Sequence, residues 1–154
     1  MKELTQKHIM TMSLTIDFAA TQVIGNVPAG LRRIVPVSGG HFEGDRLNGE
    51  VLPGGHDWVI NRADGVMLID VRLPLKTDDG ALIYLAYQGR FLAEPEVMAK
   101  MGSGTPLDPS EYSLMMSGKF ECGDERYAWL NNVIAVGRGE QAKGGATYTI
   151  FELG

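Results

Sequence analysis

The sequence predicts an all-β protein: an antiparallel β-barrel of eight to ten strands in a single domain, residues 1–154, with one short helix. Three observations predict it. Apolar and polar residues alternate with a period of two through most of the chain. Glycine-based turn signals recur about every ten residues, the spacing of sandwiches and barrels. Only Glu94 to Lys100 reads as helix, with Pro95 in its first turn. A barrel is favoured over a sandwich because closure removes free strand edges. Barrels of about this strand number can also hold one small ligand.

The elements follow in order. Met10 to Phe18 alternates cleanly, placing Met10, Met12, Leu14, Ile16 and Phe18 on one face. Thr21 to Gly30 continues extended to a Pro28-Ala29-Gly30 turn. The next strand, Leu31 to Val37, contains Pro36, which cannot donate a ladder hydrogen bond and so predicts an edge or a bulge. Asp45 to Gly49 is a bend, Glu50 to Pro53 a short strand, and Pro53-Gly54-Gly55 a tight turn. His56 to Arg62 and Val66 to Leu75 form a hairpin about Ala63-Asp64-Gly65, since glycine tolerates positive φ. In the second of these strands Met67, Ile69, Val71, Leu73 and Leu75 share one apolar face, with Asp70 and Arg72 on the other. Thr77 to Gly80 turns into a strand rich in aromatic and β-branched residues, Ala81 to Phe91. After the helix, Glu111 to Glu121, Tyr127 to Gly137 and Ala146 to Leu153 read as strands, with Arg138 to Gly145 as a loop.

Composition narrows the function. A formal charge of -5 and a pI near 5.1 argue against nucleic acid or an anionic membrane as partner. The single cysteine, Cys122, excludes an intrachain disulfide framework. The N-terminal stretch alternates instead of forming the continuous apolar core of a signal peptide, so a cytoplasmic location is expected.

Gly39 to Gly80 concentrates the chemistry. Asp70 and Arg72 leave one strand face roughly 6.5 to 7 Å apart; Arg72 is expected to steady an anionic or carbonyl oxygen, with an ion pair as the plain structural alternative. Asp57 follows a double glycine at a strand start and becomes a general base if apolar neighbours raise its pKa. Trp58 would stack on a flat substrate, with His56 on the same face. Trp129 and Asn131, placed on one strand face, pair an aromatic plate with an amide. Tyr87 and Glu43 complete the candidate substrate-binding set. A His41, Glu43 and His56 metal triad is geometrically conceivable, but the histidines lack ligand spacing and no metal or cofactor is expected. SGGHFEG and LPGGHDW are turns and not phosphate loops, since neither has the lysine and Ser/Thr of a P-loop.

Several motifs carry a resemblance: Phe42-Glu43-Gly44, Gly49 to Trp58, Asp64-Gly65 through Ile83, Phe120 to Gly123 and Arg126 to Asn131. In this order they resemble the domain-of-unknown-function 3237 family, also numbered uncharacterised protein family 0311. Cys122 stands where that pattern has threonine. The resemblance implies an antiparallel barrel similar in shape to allene oxide cyclases and dirigent proteins, often oligomeric, and it implies no settled activity. The expected function is a small-molecule-binding barrel. It is read as a cofactor-free isomerase, cyclase or lyase in which Asp57 and Arg72 are catalytic and Trp58 and Trp129 sandwich the substrate. The alternative is a lipocalin-shaped protein that binds a hydrophobic metabolite unchanged. A homo-oligomer is expected in either case.

Overall fold

A computed structural model describes residues 1–154. Ten strands form one antiparallel sheet: β1 (Gln6–Ile16), β2 (Gln22–Val27), β3 (Gly30–Glu43), β4 (Gly49–Val51), β5 (Gly55–Asn61), β6 (Met67–Thr77), β7 (Leu82–Ala93), β8 (Tyr112–Cys122), β9 (Ala135–Ala142) and β10 (Gly145–Leu153). One helix, α1 (Pro95–Gly102), joins β7 to β8. The sheet closes because β1 pairs with β10 on one side and with β3 on the other. Strands β4 and β5 share one place in the ring between β3 and β6, which makes an eight-staved barrel. Strand β2 lies beyond the ring and pairs only with β3.

Period-two alternation decides what goes inside. The apolar face of β6 points inward, so Asp70 and Arg72 point out. Met10, Met12, Leu14, Phe42, Leu73, Leu75, Leu85 and Phe120 fill most of the barrel with close-packed side chains. A register shift between His8 and Met10 lets Ile9 be buried next to Met10. Pro36 is tolerated inside a long strand for a specific reason. Its carbonyl accepts from Asp17 N on the side where β1 pairing stops at Val37 and β2 pairing starts at Ile34. The missing N–H falls in that gap, and the predicted bulge lies close by, between Thr15 and Ile16 of β1 opposite Ser38.

Two sequence expectations fail at the C-terminal third. Tyr127 to Gly137 is strand only in its last three residues, which begin β9. Residues Glu125–Asn132 form 3-10 turns, capped by Asp124, whose carboxylate accepts from Arg126 N. No β-branched residue occurs between Asp124 and Asn132, and Asp124, Glu125, Ala128, Asn131 and Asn132 disfavour a strand, against the preference of Tyr127 and Trp129. The turns close one barrel end: Leu130 is fully buried, and Tyr127, Trp129 and Val133 pack on the core. Arg138 to Gly145 is likewise not a loop. β9 runs to Ala142 and turns through Gly144, at φ 75°, directly into β10. The opposite end is covered by α1 and the loop after it, through Met98, Met101 and Leu107. No helix is long and apolar enough to cross a membrane.

Candidate functional site

The inner face of the barrel is largely apolar; apart from Thr77 near the end away from α1, its polar groups lie from the middle of the barrel towards the α1 end. Gly55 starts β5 and packs tightly against β6, where an added Cβ would stand 2.7 Å from Leu73 Cδ2. That close approach sets the register in which Asp57 lies opposite Val35 and Val71, both buried and inward-facing. Asp57 therefore points into the barrel while keeping some contact with solvent. Asp70 N donates to its Oδ1 at 3.0 Å. Burial pushes the Asp57 pKa up to about 7, and the Asp70 charge adds to this; the Asp70 N–H and the Arg33 cation oppose it.

Across Val71 lies Tyr87, only 2% exposed, with its ring 5.3 Å from that of Tyr148 at 60°. Both rings sit over glycines. Tyr87 is opposite Gly118 and Tyr148 is opposite Gly139. A Cβ at Gly118 would lie 2.8 Å from Tyr87 Cβ, and one at Gly139 would lie 2.7 Å from Tyr148 Cε1. Any side chain at these two positions would displace the phenols. Burial holds both phenols well above the ordinary tyrosine range; the neighbouring Tyr148 raises Tyr87 further, and the Asp57 charge reinforces the shift in each. They stay neutral donors.

Arg33 lies two residues before Val35 on the same inner face of β3, opposite Val59. Its Nη2 donates to Asn61 Oδ1 at 2.7 Å and approaches Met67 Sδ at 3.6 Å. Two buried side-chain polar atoms lack any hydrogen-bond partner, Arg33 Nε and the Tyr87 hydroxyl. Native interiors rarely leave such groups unpaired; strain, a catalytic role, or an ordered water or ion accounts for the exceptions.

The residues singled out from the sequence separate into three places. Asp57 and Tyr87 converge inside. Arg72, Trp58 and His56 form a stack on the outer face, with Arg72 5.2 Å above the Trp58 ring and the His56 ring 5.6 Å from it. Arg72 therefore does not share a face with Asp57, and the expected Asp57–Arg72 pair is corrected: the β6 apolar face takes the interior, which sends both Asp70 and Arg72 outward. Glu43 is exposed on the outer face of β3. Trp129 belongs to the end closure, beneath Arg46 at 4.2 Å. Asn131 is structural, accepting from Cys122 N and donating to Cys122 O, both at 2.9 Å. The four groups Asp57, Arg72, Trp58 and Trp129 thus do not surround one cavity. A shallow groove of about 590 Å³, bordered by Pro74, Tyr84 and Asn131, lies outside the barrel. His41, Glu43 and His56 do not come together; no group of three or more His, Cys, Asp or Glu side chains is placed to hold a metal ion.

Sequence reasoning missed Arg33 and Tyr148. For Tyr148 the available signal was glycine inside a strand pattern, at Gly137-Arg138-Gly139, which marks close approach by a neighbouring group; Arg33 had none.

A closed antiparallel barrel with a carboxyl, two phenols and a guanidinium on its inner face defines the class of this protein: a β-barrel with a polar cluster in a largely apolar interior. The family follows from comparison. The chain belongs to the family described as "Protein of unknown function (DUF3237)", whose model matches residues 4–153. It is 31% identical over 134 residues to UPF0311 protein RPA1785 of Rhodopseudomonas palustris, covering 87% of this chain and 86% of that one. The crystal structure of the RPA1785 protein is similar to this fold with a TM-score of 0.93, covering 99% of both chains. A β-barrel like protein from Acinetobacter baumannii, 34% identical, has a TM-score of 0.86 over 99% of this chain and 98% of its own. A protein from Penicillium herquei described as an enzyme shares the fold at 20% identity, with a TM-score of 0.74 over 99% of this chain and 96% of its own.

Proposed function

We propose that the protein is a cofactor-independent isomerase, cyclase or lyase for a small, partly apolar, oxygenated molecule, worked by acid–base chemistry at Asp57 and Tyr87. The observation that carries this reading is the Tyr87 hydroxyl, sealed from water with only the Tyr148 hydroxyl for a neighbour and no well-aligned hydrogen bond, beside an inward carboxyl whose pKa burial pushes up to about 7. In the ionised form Asp57 takes a proton from a carbon next to a carbonyl. The electron pair moves onto the carbonyl oxygen, and the Tyr87 O–H donates to the oxyanion as it develops. Protonated Asp57 then returns the proton to another carbon, or a β-substituent leaves as the carbonyl re-forms. A base with pKa near the working pH is suited to both halves of that cycle. Arg72 has no part in it.

Deuterium exchange tests the reading. With 1-phenylpropan-2-one in D2O followed by NMR, wild-type protein should accelerate exchange at the carbon between ring and carbonyl, with a rate rising through pH 7. Asp57→Asn should remove the acceleration, and Tyr87→Phe should reduce it roughly a hundredfold. Full acceleration by Asp57→Asn sinks the proposal. Bound ketone without exchange favours the non-catalytic binder instead.

The same reading takes the protein to act in the cytoplasm as a homo-oligomer. Supporting the second point, β2 keeps one edge unpaired and exposes Val23, Ile24 and Val27.

A further inference from the structure

Arg33 is a half-buried cation that forms no salt bridge, with the Asp57 charge as its nearest inward-facing influence. Its hydrogen-bonding partners are a neutral amide, Asn61, and a thioether, Met67. No carboxylate forms a salt bridge with it: the ion pairs of the protein are Arg46–Glu152, Arg62–Asp64, Lys100–Glu111, Arg126–Asp79 and Arg126–Asp124. Its Nε–H is sealed from water and bonded to nothing. An arrangement of this kind is costly unless something else completes it.

Position suggests what completes it. Arg33 stands at the α1 end of the inner face, on the same side of the sheet as Asp57. Next to it, β2 carries the barrel wall past the end of β1, and Val23, directly opposite Arg33, is 64% exposed. The guanidinium therefore lies between the exposed β2 side of the barrel wall and the acid–base pair, beneath the cover that α1 provides. Met67 on one side, with Met98 and Met101 of α1 packed on the same core, gives that end an adaptable apolar lining.

We infer that Arg33 is a substrate-binding residue and that the substrate is a carboxylate: a small molecule with an anionic oxygen group for the free Nε–H and an apolar body directed towards Tyr87. Arginine suits this role because its planar fork presents donors in fixed directions to a carboxylate. The inference rests on the interior site proposed above and adds the chemical class of its ligand. It also assigns Arg33 to binding and not to proton transfer.

The probes are 3-phenylpropionate and its neutral isostere 3-phenylpropanamide, titrated by calorimetry and by NMR of the arginine side-chain Nε–H signals. The carboxylate should bind, move the Arg33 Nε–H resonance and protect it from exchange. The amide should bind at least tenfold more weakly. Arg33→Met should weaken carboxylate binding roughly tenfold to a hundredfold, while Asp57→Asn should retain it. Arg33→Lys, which keeps the charge without the fork, should fall between. Should Arg33→Met fail to fold, the wild-type resonance still decides. Equal affinity for acid and amide, an unmoved Nε–H signal or no saturable carboxylate binding would overturn the assignment. Ketone exchange by the Asp57→Asn variant would strike the proposed chemistry while leaving the Arg33 assignment standing.

Discussion

Removing the Tyr87 hydroxyl should make the protein more stable and less active. The group is buried and unpaired, and leaving a hydroxyl desolvated without a partner costs about 1–3 kcal/mol. Tyr87→Phe keeps the ring over Gly118 and beside Tyr148, so packing is conserved. The net gain is on the order of 1 kcal/mol, because the hydroxyl also contributes dispersion contacts that are lost. For a chain of this size that corresponds to a rise of about 2–4 °C in Tm. Urea unfolding followed by tryptophan fluorescence measures it, with an unchanged m-value as the control for two-state behaviour. Stabilisation coupled to loss of exchange activity is the signature of a donor held free for a ligand. If Tyr87→Phe instead loses 1 kcal/mol or more, the hydroxyl is satisfied in the folded protein and the reasoning that makes it an oxyanion donor fails.

Three further outcomes follow from the same geometry. Asp57 binds its proton more tightly folded, at about 7, than at its ordinary 3.8, so folding stability should fall as pH rises from about 4 to 7 and level off above. At roughly 1.4 kcal/mol per pH unit the ceiling is near 4 kcal/mol, reduced by the solvent contact Asp57 keeps; Asp57→Asn should flatten the profile, and a slope unchanged in that variant would refute its origin. Gly118→Ala would place a Cβ 2.8 Å from both Ala86 O and Tyr87 Cβ, so it should cost about 1–3 kcal/mol by urea unfolding and shift the Tyr87 ring signals by NMR. Arg72→Ala and Trp58→Ala remove only an outer-face stack, so exchange rates should stay within about twofold of wild type; a hundredfold loss, the scale of a lost oxyanion donor, would return them to the site.

The architecture was legible in the residues because strand alternation and glycine turns are local signals. Met67 to Leu75 announced a half-buried strand, and Asp64-Gly65 and Asp79-Gly80 announced its hairpins. Trp129 and Asn131 were misplaced for the same local reason: a short run of mixed polarity reads equally well as strand or turn, and only packing at the barrel end decides between them. Asp57 and Tyr87 were recognised as types of residue suited to a site, without a reason to meet. Arg33 carried no local mark at all.

The sequence by itself determined the strands and turns as far as β8 and the two faces of each, but not the turns and strand that follow. Which face of β6 turns inward was settled only when the ring closed, since burying five apolar side chains outweighs burying Asp70 and Arg72. Closure also brought Arg33, Asp57, Tyr87 and Tyr148 together from β3, β5, β7 and β10. Their proximity depends on register around a closed sheet, and register is a property of all the strands at once.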